Sequence, residues 1–417
     1  MFSTKEYAII KLNTYDPMKN FLKNGGGFRI MYDFEKVLDR RNTNCVKWDS
    51  GNYGDNDVIP MWVADMDFQV APEIVEAMEE RMKHPIFGYS FAPDSYYEAV
   101  TSWFKRRFHW NVEKQWIQFS PGVVPGINII IGAFTKPGDN VIIQTPVYHP
   151  FARLIKNNGC QVVENPLIFN NGNYEMDFIN LEKVINSRTK LLILCNPHNP
   201  VGRVWTKEEL EKLGDICVKH NVIVVSDEIH GDIIYKPNKH TVFSTIKEEF
   251  SENSIVCTAP NKTFNIAGLQ TANIIIKNEK LRRQYAIQAE NMCMEGLNLM
   301  GLVAAEAAYS KGEQWYQELM EYLEGNLDFI LDFFEKRIPR IKIMKPQGTY
   351  LLWLNCSELN MTKEELKDFF LKKCKVWFNE GAMFGIEGQL FQRMNIGTSR
   401  TLIKEALERI EREVNNL

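Results

Sequence analysis

The sequence predicts an α/β protein built on a mostly parallel sheet with helices on both faces. Three observations carry that expectation. Residues 141–144, 190–195 and 222–226 are short runs of β-branched residues and leucine, the composition of strands buried on both faces. Between the last two lies a helical stretch, residues 206–220, opened by Thr206-Lys207-Glu208-Glu209 in the pattern of a capping box. Each run also ends in polar or aromatic residues: Thr145-Pro146-Val147-Tyr148-His149-Pro150, then Asn196-Pro197-His198-Asn199-Pro200-Val201-Gly202, then Asp227-Glu228-Ile229-His230. Ligands of such sheets sit beyond the carboxyl ends of the strands.

The remaining elements follow in chain order. Residues 1–30 have no clear period and end in Lys23-Asn24-Gly25-Gly26-Gly27, so they are expected to be an extension, with Met31 as the natural start. Trp62-Val63-Ala64-Asp65-Met66-Asp67-Phe68 reads as a buried edge segment whose aspartates cap turns. Residues 71–83 read as a helix with Pro72 in its first turn and Ile74, Val75 and Met82 on one side. Phe87-Gly88-Tyr89-Ser90-Phe91 is an aromatic cluster expected to pack, with a Tyr89 hydroxyl able to reach a phosphate. A second helix is expected over 96–108. Ser120-Pro121-Gly122-Val123-Val124-Pro125-Gly126-Ile127 is a glycine-rich turn leading into an apolar helix over 127–134. Backbone N–H groups at such a start form an anion site. No GK[ST] ending and no GxGxxG is present, which weighs against a Walker loop and a nicotinamide enzyme.

Ser254-Ile255-Val256-Cys257-Thr258 is strand-like and precedes Lys262. A lysine on rigid backbone, partly desolvated at the same sheet edge, has a lowered pKa and a free lone pair. Further on, residues 297–309 and 313–336 read as helices, 341–344 and 349–354 as strands, 363–373 and 401–415 as helices. Together they make a smaller α+β unit, with Gly348, Tyr350 and Trp353 in its core or at the border of the site. The expected division is 72–310 for the large domain, and 31–71 with 311–417 for the small one.

Composition narrows the function. Over 417 residues the net charge is −4, with no long basic run, so a nucleic-acid footprint is not expected. No apolar stretch approaches the roughly 18 residues that span a bilayer. The N-terminus has no apolar signal core, and no metal site is expected. Eight scattered cysteines without a CxxC pair read as reduced thiols, which favours the cytoplasm.

An acid (Asp227), an amide (Asn199), an aromatic ring (Tyr148), an anion cradle and Lys262 thus converge on one rim. Asn-Pro-x-Asn-Pro-x-Gly, the aspartate after a strand and the lysine segment resemble the fold-type I pyridoxal-phosphate enzymes, the aspartate-aminotransferase superfamily of class I and II. Within it the chain is similar to the MalY/PatB subfamily of cystathionine β-lyases (C–S lyases). The segments that carry this are 62–68, Asp227-Glu228-Ile229-His230-Gly231-Asp232 and Lys262-Thr263-Phe264-Asn265-Ile266-Ala267-Gly268-Leu269. The resemblance implies a large domain with a mostly parallel seven-stranded sheet, pyridoxal 5′-phosphate as cofactor, an amino-acid substrate and a homodimer sharing its sites. It also implies roles. Lys262 would hold the cofactor covalently and then move the Cα proton, Asp227 would face the pyridine nitrogen, Asn199 would donate to the ring oxygen, and Tyr148 would stack on the ring. Val123, Val124, Asn261 and the partner's Tyr89 would bind the phosphate, with His230 near the ring oxygen. Arg393, with Asn199 and Ala64, would receive the substrate, the arginine by a bidentate fork on its carboxylate.

Two departures from the wider superfamily stand out. A tyrosine common three residues after the aspartate is His230 here, as the lyase subfamily implies. A serine three before the lysine and an arginine eight after it are Ala259 and Gln270, which removes a hydroxyl and a charge from the phosphate site. The function implied is α,β-elimination from cystathionine or cysteine-type substrates, giving thiol, pyruvate and ammonia. An aminotransferase using the same residues is the alternative, and a regulatory binding protein on the same fold is a third reading.

Overall fold

The computed structural model describes residues 32–50, 57–170 and 172–417. The expected extension, residues 1–30, and Met31 lie outside the described residues. After a single helical turn at Val46–Asp49 come two longer helices, α1 (Pro72–Met82) and α2 (Asp94–Phe108). Of the apolar side expected for α1 only Ile74 is buried. Val75 and Met82 stand 43% and 58% exposed, because the face that packs on the rest of the chain is narrower than the sequence pattern. The aromatic cluster at 87–91 is likewise corrected: Phe87, Tyr89 and Phe91 are exposed, with no part in the core of this chain.

The large sheet is built from β1 (Ile117–Ser120), β2 (Asn140–Ile143), β3 (Gln161–Glu164), β4 (Thr189–Cys195), β5 (Ile223–Asp227), β6 (Ser254–Thr258) and β7 (Ala272–Ile275). Its order is β1-β7-β6-β5-β4-β2-β3, seven strands of which β7 alone runs against its neighbours. The period of two along β4 explains its place at the centre. Leu191 and Ile193 enter the apolar cluster on one face, and Leu192 and Leu194 the cluster on the other. Three helices in this part matter to the site: α3 (Val123–Phe134), α4 (Pro150–Asn157) and α5 (Lys207–Lys219). The Thr206–Glu209 capping box is present on α5. Helix α3 begins at Val123 rather than 127, so the glycine-rich turn is shorter than expected. A Cβ at Gly126 would lie 2.6 Å from Ile274 Cδ1, so only glycine lets α3 close onto β7.

The chain continues through α6 (Leu299–Lys311) and α7 (Glu313–Arg337) into an antiparallel sheet. That sheet comprises β8 (Lys342–Ile343), β9 (Leu351–Asn355), β10 (Asn379–Glu380) and β11 (Phe391–Asn395), in the order β8-β9-β11-β10, and α8 (Arg400–Asn415) follows. The helix expected over 363–373 is divided into Lys363–Asp368 and a π turn, Phe369–Lys373. Ile59–Pro60 pairs in parallel with Val376–Trp377, which ties the segment before Trp62 to the C-terminal part. Asp65 and Asp67 do not cap turns. Arg40 pairs with both, at 2.9 and 2.8 Å, and the buried Lys47 reaches Asp67 at 2.7 Å. These cations hold the Asp67 carboxyl low against the cost of its burial.

Candidate active site

The carboxyl ends of β4, β5 and β6 lie in register, with Cys195 beside Asp227 and Asp227 beside Cys257. Loops leaving them enclose a cavity of about 180 Å³. Nine residues singled out from the sequence line it: Lys262, Asp227, Asn199, Tyr148, His230, Asn261, Ala64, Val123 and Val124. Arg393 joins them from β11, its Nη1 donating to Asn199 Oδ1 at 2.9 Å. Tyr89 does not. It is fully exposed, outside this cluster.

Lys262 donates from Nζ to the carbonyl of Ala64 at 2.5 Å, and the Tyr350 hydroxyl donates to the same oxygen at 3.1 Å. Burial pushes the Lys262 ammonium down to about 8; Asp65 and Asp227 oppose the shift and Arg393 adds to it. Neutral amine is therefore plentiful slightly above neutrality, where an exposed lysine is almost wholly protonated. One expected outcome follows from the sign of this shift. Uptake of the aldehyde cofactor by the apoprotein accelerates as pH rises and levels off above about 8. A stopped-flow rate that keeps rising to pH 10 contradicts the burial of this amine.

Asp227 is enclosed, and burial pushes its carboxyl up to about 7, against the N–H of Ile229 and the Lys262 charge. A buried acid in that condition is matched by a cation placed against it. Burial lowers Arg393 to about 10, and its Nη2 reaches the carbonyl of Trp62 at 3.0 Å and the side chain of Asn379. His230 is held neutral, by burial first and then by the nearby Lys262 and Arg393.

Several polar atoms here have no protein partner. Asn261 Oδ1 and His230 Nδ1 are buried and unpaired. Helix α3 has Gly122 at its N-cap and no side-chain cap, leaving its first N–H groups free beside the cavity that Val123 and Val124 line. An anion site, a buried carboxyl with a single backbone donor and an amine lining one cavity fit pyridoxal 5′-phosphate. Gln270 is exposed and Ala259 offers no polar atom, so the α3 amides and Asn261 are the groups of this chain at the cavity that could hold a phosphate.

A family model for aminotransferases of class I and II matches residues 45–410. The chain belongs to this family. Among its relatives, "Cystathionine beta-lyase PatB" of Bacillus subtilis is 43% identical over 382 residues, 91% of this chain and 99% of that one. "Protein MalY" of Escherichia coli is 33% identical over 384 residues, 90% and 97% of the two chains. Cystalysin from Treponema denticola, solved with a pyridoxal 5′-phosphate cofactor, matches with a TM-score of 0.90 and 38% identity, over 92% of this chain and 99% of its own. The seven-stranded sheet is thus the aspartate-aminotransferase-like fold that the resemblance implied.

Residues that the sequence left unmarked shape the site in this member of the family. Asn265, at φ 57°, accepts from Met66 N at 3.0 Å and donates to the carbonyls of Met66 and Phe68 at 2.9 Å. Asn395 donates to the carbonyls of Val63 and Asp65 at 2.6 Å. These bonds clamp segment 62–68 over the lysine. Tyr350, left between core and border, is buried yet shares the Ala64 oxygen with Lys262, whereas Trp353 is core and donates to Tyr174.

Proposed function

We propose that the protein is a pyridoxal-phosphate-dependent C–S β-lyase, releasing a thiol, pyruvate and ammonia from cystathionine or a cysteine-type substrate. The observation that carries the reading is a single cavity lined by a lysine of lowered pKa, a buried carboxyl with one backbone donor and an uncapped helix start. Relatives named cystathionine β-lyase that match almost end to end support the choice of reaction. When bound, the cofactor supplies an aldehyde for the substrate amine and a cationic ring that draws electrons from Cα.

The chain's own groups do the rest. Asp227 would place its carboxylate against the ring nitrogen and keep that position protonated. Tyr148 would stack on the ring face, and Asn199 and His230 would address its oxygen. The amides of Val123 and Val124, with Asn261, hold the phosphate. Arg393 grips the substrate carboxylate through its fork, steered by Asn199, by Asn379 and by the carbonyl of Trp62. Lys262, once free, takes the Cα proton, and the Cβ–S electrons leave with the thiolate. We assign residues 72–310 to the cofactor-binding domain, and residues 31–71 and 311–417 to the small one.

The exposed Phe87, Tyr89 and Phe91 support a homodimer in which each Tyr89 completes the partner's phosphate site. Sedimentation is expected to show a dimer, and Tyr89→Phe to weaken cofactor retention roughly tenfold, a charge-assisted hydrogen bond's worth. A monomer with full activity contradicts this. A reduced compartment suits eight cysteines that are all free, and we place the enzyme in the cytoplasm. The reaction itself is tested by thiol release from L-cystathionine by the holoenzyme. Sustained release is expected, and none at all would refute the lyase.

A further inference from the structure

Segment 62–68 meets Lys262 at the carbonyl oxygen of Ala64, and the backbone on both sides of that atom is pinned. Asn395 bonds the carbonyls of Val63 and Asp65, and the Asp65 N–H donates to Val63 O at 2.9 Å. Ala64 lines the cavity, whereas Asp65 does not. Its carboxylate is instead held by Arg40, which donates from Nη1 to Oδ1 at 3.1 Å and from Nη2 to Oδ2 at 2.9 Å. This is a two-point fork. The same Nη1 reaches Met66 O at 3.1 Å, so Arg40 grips backbone and side chain together.

The two aspartates of the segment are not equivalent. Asp67 is closed off by Lys47 at 2.7 Å and by the Trp48 indole at 3.0 Å, besides Arg40. Asp65 has Arg40 as its close cation, with Lys47 at 4.0 Å. The charges that act on the Lys262 amine come from three directions: Asp65 from this segment, Asp227 from the end of β5 and Arg393 from β11. Of the two acids Asp65 weighs more. His230 is neutral, and Tyr350 meets the amine only through their shared acceptor, Ala64 O. Asp227 and Arg393 have roles in the chemistry above; Asp65 and Arg40 have none.

We propose that Arg40 and Asp65 are positioning residues that set the proton affinity of Lys262 from outside the cavity. The Asp65 carboxylate favours the ammonium. The Arg40 fork fixes that carboxylate and offsets its charge, which keeps neutral amine available. The inference rests on the cofactor reading above, in which a neutral amine captures an aldehyde. Arg40 and Asp65 each leave a quarter of the side chain open to solvent, so the coupling is damped by water without being abolished.

The test is the pH midpoint for uptake of pyridoxal 5′-phosphate by the apoprotein of the full chain, followed by stopped-flow absorbance. Titrations of the cofactor itself are common to every protein compared, so differences in midpoint belong to the amine. Asp65→Asn keeps the shape and loses the charge, and is expected to move the midpoint down by roughly half a pH unit or more. Arg40→Gln is expected to move it up by a similar amount. Arg40→Lys, which keeps the charge, is expected to stay near the wild type. A purely structural role gives another pattern: loosening segment 62–68 admits water to the amine and moves both neutralised variants upwards. Midpoints of Asp65→Asn and Arg40→Gln that shift the same way, or not at all, overturn the inference while leaving the cofactor reading intact. A wild type that takes up no cofactor overturns that reading, and this inference with it.

Discussion

Lys262→Ala is expected to leave a folded protein without turnover, its kcat reduced by at least about 10³-fold, the scale of losing both a nucleophile and a general base. The visible absorbance of cofactor held through the lysine is expected to vanish in the same variant. Both effects follow from one geometry. The amine is the only lysine lining the cavity of the described residues, and it is tethered by a hydrogen bond to Ala64 rather than by an ion pair. Removing it leaves Ala64 O still bonded to Tyr350, so segment 62–68 keeps its place. A melting temperature near that of the wild type checks this. Ordinary turnover by the variant would contradict the assignment.

Asp227→Ala is expected to lower kcat on the order of 10²-fold or more, while the cofactor still binds through Lys262 and the α3 amides. The asymmetry comes from position. Asp227 ends β5 at the bottom of the cavity and makes one hydrogen bond, from Ile229 N–H, so its charge is kept for whatever lies opposite. In the role proposed for it, loss of that carboxylate would leave the ring nitrogen unprotonated and the electron sink weaker. Absorbance titration reports cofactor affinity separately from turnover. Equal losses of both, or an unchanged kcat, would contradict the role given to this residue.

Much of this site was legible because it is built at strand ends. Buried parallel strands declare themselves as β-branched runs, and the residues just after β4 and β5 are then forced to one edge of the sheet. Asn199, Asp227 and His230 were placed by that logic alone, and Lys262 by its place after β6. Arg393 was not; only the resemblance distinguished it from Arg400, since a buried arginine in a strand has no local signature. The clamp on segment 62–68 was also invisible. Asn265 and Asn395 bond to residues about 200 and 330 positions away, and an asparagine in sequence carries no mark of its partner. The aspartates of that segment were misjudged for the same reason, because their cations, Arg40 and Lys47, lie 20 to 27 positions upstream and nothing in the sequence marks the pairing. The aromatic cluster at 87–91 was read as packing from composition, and composition does not distinguish packed aromatic side chains from exposed ones.

Lyase and aminotransferase differ in where the Cα proton goes after the base, proposed here as Lys262, has taken it, and the same residues would serve both. Pyruvate formed per active site, from L-cystathionine with pyridoxal phosphate and no oxo acid, separates them most directly. The account predicts many equivalents, formed at a constant rate and matched by thiol. Product that stops near one equivalent, and resumes only when an oxo acid is added, would contradict it.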